Sequence, residues 1–322
     1  MPWRSTKPTV RTTERRDITP RRKRVHQNRT AQGRDTLEAL GLRNLQENLF
    51  GLYEKALPKQ LNWEERLAAA KHAGYDFMEM SIDETDERIG RLKWSKRERT
   101  KLMETIHRLN MPILSMCLSA NRRYPIGSEQ EETRNAGIQL VRDAIDFALD
   151  CGIRVIQLAG YDEYANPSTE ATIQNFHDSL AQCARYAQEK AVMLALETME
   201  NDLMDSVEKA KRYVDAIQCP WLKIYPDLGN LYATGQDIER EFLLGMQDIV
   251  SIHLKDTVPG VVRDIAFGDG NVDFVSFFRL LQRENYSGLF VTEMWTDETM
   301  RSIETAKEAR AFIADKIAKA QA

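Results

Sequence analysis

A closed α/β barrel of the (β/α)8 kind is the fold this sequence predicts, and three observations predict it. Eight short apolar runs alternate with amphipathic helical stretches from Phe50 to the C-terminal end. The cycle occupies about 250 residues, the usual size of such a barrel. The turn after the first run, "YEKALPKQ", has none of the glycines that open a doubly wound nucleotide-binding sheet.

The units follow in order. "LFGLYEK" runs from apolar residues into two charges and reads as the first strand. After it, "NWEERLAAAKHAG" has the 3.6-residue period of a helix and stops at Gly74. "FMEMSID" with "SKRERTKLMETIHRLN" makes the second unit. "ILSMCLSA" with a long helix from about Ser128 to Asp150, closed by Gly152, makes the third. In the fourth, "RVIQLAG" precedes "STEATIQNFHDSLAQCARYAQEK", where Ser168 followed by an acid two residues on suits a helix start. "VMLALETME" leads to "DSVEKAKRYVDAIQ", and "LKIYPDLGN" to "DIEREFLLGM". "IVSIHLKDT" leads, past a loop holding "FGDG", to "FVSFFRLLQRENY". The last strand, "LFVTEMW", is followed by the helix "DETMRSIETAKEARAFIADKIAKA".

Composition bounds the rest. A chain of 322 residues, 42% hydrophobic, can bury one large core or two ordinary ones. No apolar run reaches the roughly 18 residues of a membrane span, and the start lacks the core of a secretory signal. Cys117, Cys151, Cys183 and Cys219 stand singly, which argues against a disulfide framework or a thiolate zinc site and makes a reducing cytoplasm the expected setting. The net charge of −4 hides an asymmetry. Residues 1–44 carry 12 Lys/Arg against 4 Asp/Glu, which leaves −12 on residues 45–322. This segment, with "RRDITPRRKRVHQNR", has almost no large apolar residue and no period, so a disordered basic N-terminal extension is expected. A plain unstructured extension is preferred to a nucleic-acid arm, because no folded reader accompanies the charge and the barrel itself is acidic.

In a (β/α)8 barrel, residues just past the carboxyl ends of the strands share one mouth. Strands five to eight end in Glu197, Asp227, His253 and Glu293, one βα unit apart. Three carboxylates and an imidazole in one place would repel strongly unless one stayed protonated or a cation joined them. Oxygen and imidazole donors suit one divalent ion, Zn, Mn, Mg or Co.

The sequence resembles the xylose isomerase-like TIM barrel superfamily and, within it, the L-ribulose-5-phosphate (L-xylulose-5-phosphate) 3-epimerases of bacteria. "GLYEKALP", "MEMSIDETDERIGRLKWS", "SMCLSANRRYPIGSE", "GIRVIQLAGYD", "YPDLGNL", "HLKDTVPG" and "FGDGNVDF" carry the resemblance, from about Phe50 to the last helix. It implies a metal site on Glu197, Asp227, His253 and Glu293, with the two glutamates doubling as acid and base. It also implies a phosphorylated ketopentose as substrate. Asn121 stands where the pattern commonly has histidine. A homo-oligomer, a dimer, is the expected assembly.

Epimerisation beside a ketone removes an α-proton and returns one to the opposite face, with the charge held as an enediolate. Lys255, two past His253, binds a substrate oxygen or is a surface lysine paired to Asp256. Asn230 contacts a hydroxyl or caps the next helix. Glu54, Lys55 and Glu79 are second-rank candidates. For the phosphate, Arg122 and Arg123 are the best-placed basic pair, with Lys255 and Arg263 as rivals. "FGDG" reads as a plain turn. Three rivals stand beside this reading: an aldose–ketose isomerase on the same metal, a multi-metal apurinic endonuclease, and a sugar-binding barrel without turnover. A single histidine at a strand end argues against the endonuclease.

Overall fold

A computed structural model describes residues 44–296 and 298–322. The expected basic extension therefore lies outside the described residues, apart from Asn44. That residue accepts from the Gln46 N–H and caps a 3-10 turn, Leu45–Glu47.

The eight strands are β1 (Phe50–Tyr53), β2 (Phe77–Ile82), β3 (Ile113–Leu118), β4 (Val155–Ala159), β5 (Met193–Glu197), β6 (Leu222–Tyr225), β7 (Ser251–Leu254) and β8 (Leu289–Thr292). Every ladder between them is parallel, and β1 pairs with both β2 and β8, so the sheet curls round as a barrel. Closure falls between β6 and β7. Only the bridges Ile224 with Ile249 and Asp227 with His253 join them, and the pairing slips by one residue in between. The Pro226 carbonyl accepts from the His253 N–H at 3.0 Å, which holds the slipped register at the carboxyl end.

The helices are α1 (Trp63–His72), α2 (Asp86–Arg91), α3 (Lys96–Leu109), α4 (Glu131–Cys151), α5 (Glu170–Lys190), α6 (Val207–Ile217), α7 (Leu228–Ala233), α8 (Ile238–Gly245), α9 (Phe274–Arg283) and α10 (Arg301–Ala320). Capping boxes open α1 (Asn62 with Glu65) and α3 (Ser95 with Glu98), each satisfying otherwise orphaned N–H groups. The cap of α5 is Thr169 with Thr172, one residue later than expected, because the Ser168 hydroxyl turns back to Asp162 at 2.7 Å. Two short helices, α2 and α7, were not expected. Each lies within a strand-to-helix connection whose apolar period is too short to register.

Strand alternation divides the core in two. Outward residues such as Phe50, Leu52, Met78, Met80, Ile156 and Phe290 pack beneath the helices. Inward residues Tyr53, Phe77, Cys117, Val155, Ala195, Tyr225 and Val291 fill the barrel. The polar groups Glu79, Ser115, Gln157, Ser251 and His253 share that interior and are wholly buried. All four cysteines are free and buried. Among the described residues no helix is long and apolar enough to cross a membrane.

Candidate active site

The carboxyl ends of β5 to β8 bring together Glu197, Asp227, His253 and Glu293. One ligand atom from each lies within 4.8 Å of all the others. His253 Nδ1 faces all three carboxylates: Glu197 Oε1 at 2.9 Å, Glu293 Oε1 at 3.8 Å and Asp227 Oδ2 at 3.9 Å. Asp227 also caps α7, with Oδ1 accepting from the Asn230 N–H at 2.8 Å. Its own N–H donates to Thr198 Oγ1, and Gln157 Nε2 donates to Glu197 Oε2.

Lys255 enters this cluster from β7. Its ammonium lies 2.7 Å from Asp227 Oδ2 and 2.9 Å from both Glu293 Oε2 and Asn230 Oδ1. The stem reaches there by crossing Gly229, where a Cβ would lie 2.9 Å from Lys255 Cε, so "DLGN" needs its glycine. The surface pairing of Lys255 with Asp256 does not occur. Asp256 instead accepts from the N–H groups of Gly268 at 2.8 Å and Gly270 at 3.2 Å, and a side chain at Gly270 would collide with it. The "FGDG" turn is thus a loop folded around a buried carboxylate.

Burial sets the protonation of these groups, and neighbouring charges redirect it. Burial pushes Asp227 up to about 8; Lys255 opposes the rise and Glu293 adds to it. Glu197 is raised by burial too, against the pull of its hydrogen bond to His253. For Glu293 burial is outweighed by the Lys255 and His253 charges, which hold it below the usual carboxylate range. Burial would lower His253, but Glu79 and Glu293 hold it well above its ordinary value. Burial, with the nearby charges of Glu197, Glu79 and Glu293, pushes the thiol of the mouth-lining Cys117 up.

The donor set fits a single divalent cation. Three carboxylates and one imidazole nitrogen converge, and buried Asp227 Oδ2 accepts no well-formed hydrogen bond although the Lys255 ammonium is close.

Around this cluster the mouth is lined by Lys55, Arg122, Arg263 and Trp295, among others. Lys55 pairs with Asp83 at 2.7 Å, and the Arg263 guanidinium lies over the Trp295 ring at 4.8 Å. Arg122 packs on the rings of Tyr161 and Tyr164, leaving Nε buried without a partner. Two expected substrate contacts are not at the mouth. Arg123, which caps the C-terminal end of the 3-10 turn Ala120–Arg122, points outward to Asp86. Glu54, fully buried, is gripped by Arg66, Arg88 and Arg91 and accepts from the Ser81 N–H at 2.8 Å. Asn121 turns away and donates to the Tyr124 carbonyl at 3.1 Å. Glu79 lies below the mouth, in contact with His253. Among the second-rank candidates of the sequence, it is the one in hydrogen-bond contact with His253, and a carboxylate inside a largely apolar strand is the signal that marks it.

A profile of the xylose isomerase-like TIM barrel family matches residues 67–316, and the chain belongs to that family. Its relatives place it more narrowly, among the sugar-phosphate 3-epimerases of the isomerase class. The putative L-ribulose-5-phosphate 3-epimerase SgbU of Escherichia coli K12 is 45% identical over 275 residues, 84% of this chain and 96% of that protein. The L-ribulose-5-phosphate 3-epimerase UlaE of Escherichia coli O139:H28 is 44% identical over 271 residues, 84% of this chain and 95% of that protein. Among solved structures, the IOLI protein with a binding zinc atom shares the fold at 19% identity, with a TM-score of 0.70 over 84% of this chain and 98% of that one.

Proposed function

We propose that this protein interconverts L-ribulose 5-phosphate and L-xylulose 5-phosphate by inverting C3. One observation carries the reading: Glu197, Asp227, His253 and Glu293 converge at the mouth, with glutamates contributed by β5 and β8. Glu197, Asp227, His253 and Glu293 would hold one divalent cation, which would supply Lewis-acid stabilisation of the enediolate charge. Glu197 and Glu293 take the C3 proton from one face and return one to the other. Asp227 and His253 act as ligands only. Lys255, oriented by Asn230, donates to a substrate oxygen. Lys55, Arg122 and Arg263 give the mouth the cationic donors that a phosphate needs, and the unpartnered Arg122 Nε and Ser119 Oγ supply free donors there.

The test follows L-xylulose 5-phosphate in deuterated water by NMR. Deuterium entering at C3, with L-ribulose 5-phosphate as product, is expected. Deuterium at C1 or C2 with an aldose product would replace this reading with an aldose–ketose isomerase. Glu197→Gln and Glu293→Gln should each abolish turnover while keeping the native circular dichroism spectrum. Normal epimerisation by either variant refutes the two-base division.

A further inference from the structure

We propose that Glu79 is a positioning residue, lodged one layer below the mouth, that fixes His253 with its proton on Nε2 and its Nδ1 turned to the cation. The inference rests on the metal reading above and concerns a residue that touches neither cation nor substrate.

Glu79 lies in β2 and is wholly buried. Three donors from three other strands converge on its carboxylate. The Ser115 hydroxyl of β3 and the Tyr225 hydroxyl of β6 both donate to Oε2 at 2.7 Å. His253 Nε2 of β7 lies 2.7 Å from Oε1. Each hydroxyl spends its single proton on the carboxylate, so both oxygens are left with the acceptor role. Both ring nitrogens face carboxylates, Nε2 that of Glu79 and Nδ1 that of Glu197 at 2.9 Å. A cation seated among Glu197, Asp227 and Glu293 would take the place of the Nδ1 proton, whereas Glu79, outside that set, keeps the proton on Nε2. The Tyr225 ring, 4.6 Å from the imidazole centroid, holds the ring plane from the side.

The placement also explains why a carboxylate is tolerated inside the barrel. Glu79 sits directly opposite Ser115 in the β2–β3 register, which brings one donor within reach by strand pairing alone. A buried carboxylate lacking such partners would be strongly destabilising. A residue that merely filled polar space would have no bearing on which imidazole nitrogen is free.

The test reads the metal rather than turnover. Metal-free wild-type and Glu79→Gln proteins are titrated with Zn²⁺ against a chromogenic chelator. Glutamine keeps the shape but replaces one acceptor oxygen with an N–H2 donor, so a loss of about 10–100-fold in affinity is expected. In parallel, NMR of wild-type protein labelled with ¹⁵N-histidine and loaded with Zn²⁺ should show Nδ1 ligated and Nε2 protonated. This second arm decides the matter even if Glu79→Gln fails to fold. A Glu79→Gln affinity within about twofold of wild type, or zinc on Nε2 in the wild type, overturns the role of Glu79 alone. Wild-type protein that binds no Zn²⁺ overturns the metal reading and this inference together.

Discussion

Replacing Lys255 with methionine removes a charge while keeping the stem that crosses Gly229. In the metal-free protein the ammonium is the cation closest to two buried carboxylates, 2.7 Å from Asp227 and 2.9 Å from Glu293. Burial raises Asp227 to about 8, so the charge left without its nearest cation near neutral pH is that of Glu293, and breaking such a buried pair costs about 3–5 kcal/mol. For a chain of this size each kcal/mol lowers Tm by about 2 °C, so a fall of roughly 6–10 °C is expected in EDTA. A divalent cation supplies the missing charge, and at 1,000 times its Kd it adds about 4 kcal/mol to either protein. The variant should bind it more tightly, since no ammonium competes for Asp227 and Glu293. The gap between the two proteins should therefore narrow as Mn²⁺ is added. Differential scanning fluorimetry of both proteins, in EDTA and along a Mn²⁺ titration, measures each quantity. A variant melting within about 1 °C of wild type in EDTA refutes the claim that Lys255 neutralises this cluster.

Glu54→Gln should lower stability by about 3–5 kcal/mol in urea unfolding, because the buried guanidinium groups of Arg66 and Arg91 and the half-buried one of Arg88 lose their shared anion. An unchanged midpoint would remove Glu54 from the packing of the first loop. Arg122→Ala should raise KM about 10–100-fold for a phosphorylated ketopentose and leave the unphosphorylated sugar little changed, as expected for one charge-assisted contact. Equal effects on both sugars would place the phosphate elsewhere. Asp248 is held below its ordinary value, since hydrogen bonds to Lys223 and Lys211 and their charges outweigh burial. Its stabilisation is present above the unfolded carboxylate pKa and is lost as pH falls on through the lower folded-state pKa. Asp248→Asn should accordingly be about 0.5–1 kcal/mol less stable at pH 7, with the gap starting to close below about pH 4 and vanishing only below the depressed folded value. A difference that persists at low pH would assign the effect to packing rather than charge.

The barrel was legible in the sequence because its signals are local. Each strand is a short apolar run, each helix repeats every 3.6 residues, and eight such units in order leave few alternatives. The four acidic and histidine residues at the mouth were legible for the same reason, since each marks the end of one local unit. Glu54 misled because its sequence position, at the end of β1, matches that of a mouth residue. Its actual partners, Arg66, Arg88 and Arg91, approach from later segments. Arg122 and Arg123 were inseparable in sequence, and a single 3-10 turn sends one inward and the other out.

By itself, then, the sequence determined the eight-unit architecture, the strand ends that meet at the mouth and the kind of ion their donors suit. Only the tertiary structure decided what each charged group faces. It made Lys255 a partner of Asp227 and Glu293 rather than of Asp256. It turned Asp256 into the anchor of a loop, and set Glu79 beneath His253, across 174 residues of chain. The physical reason is range. Strand and helix periods are written into neighbouring residues, whereas a buried charge is satisfied by whichever partners barrel closure brings within about 3 Å.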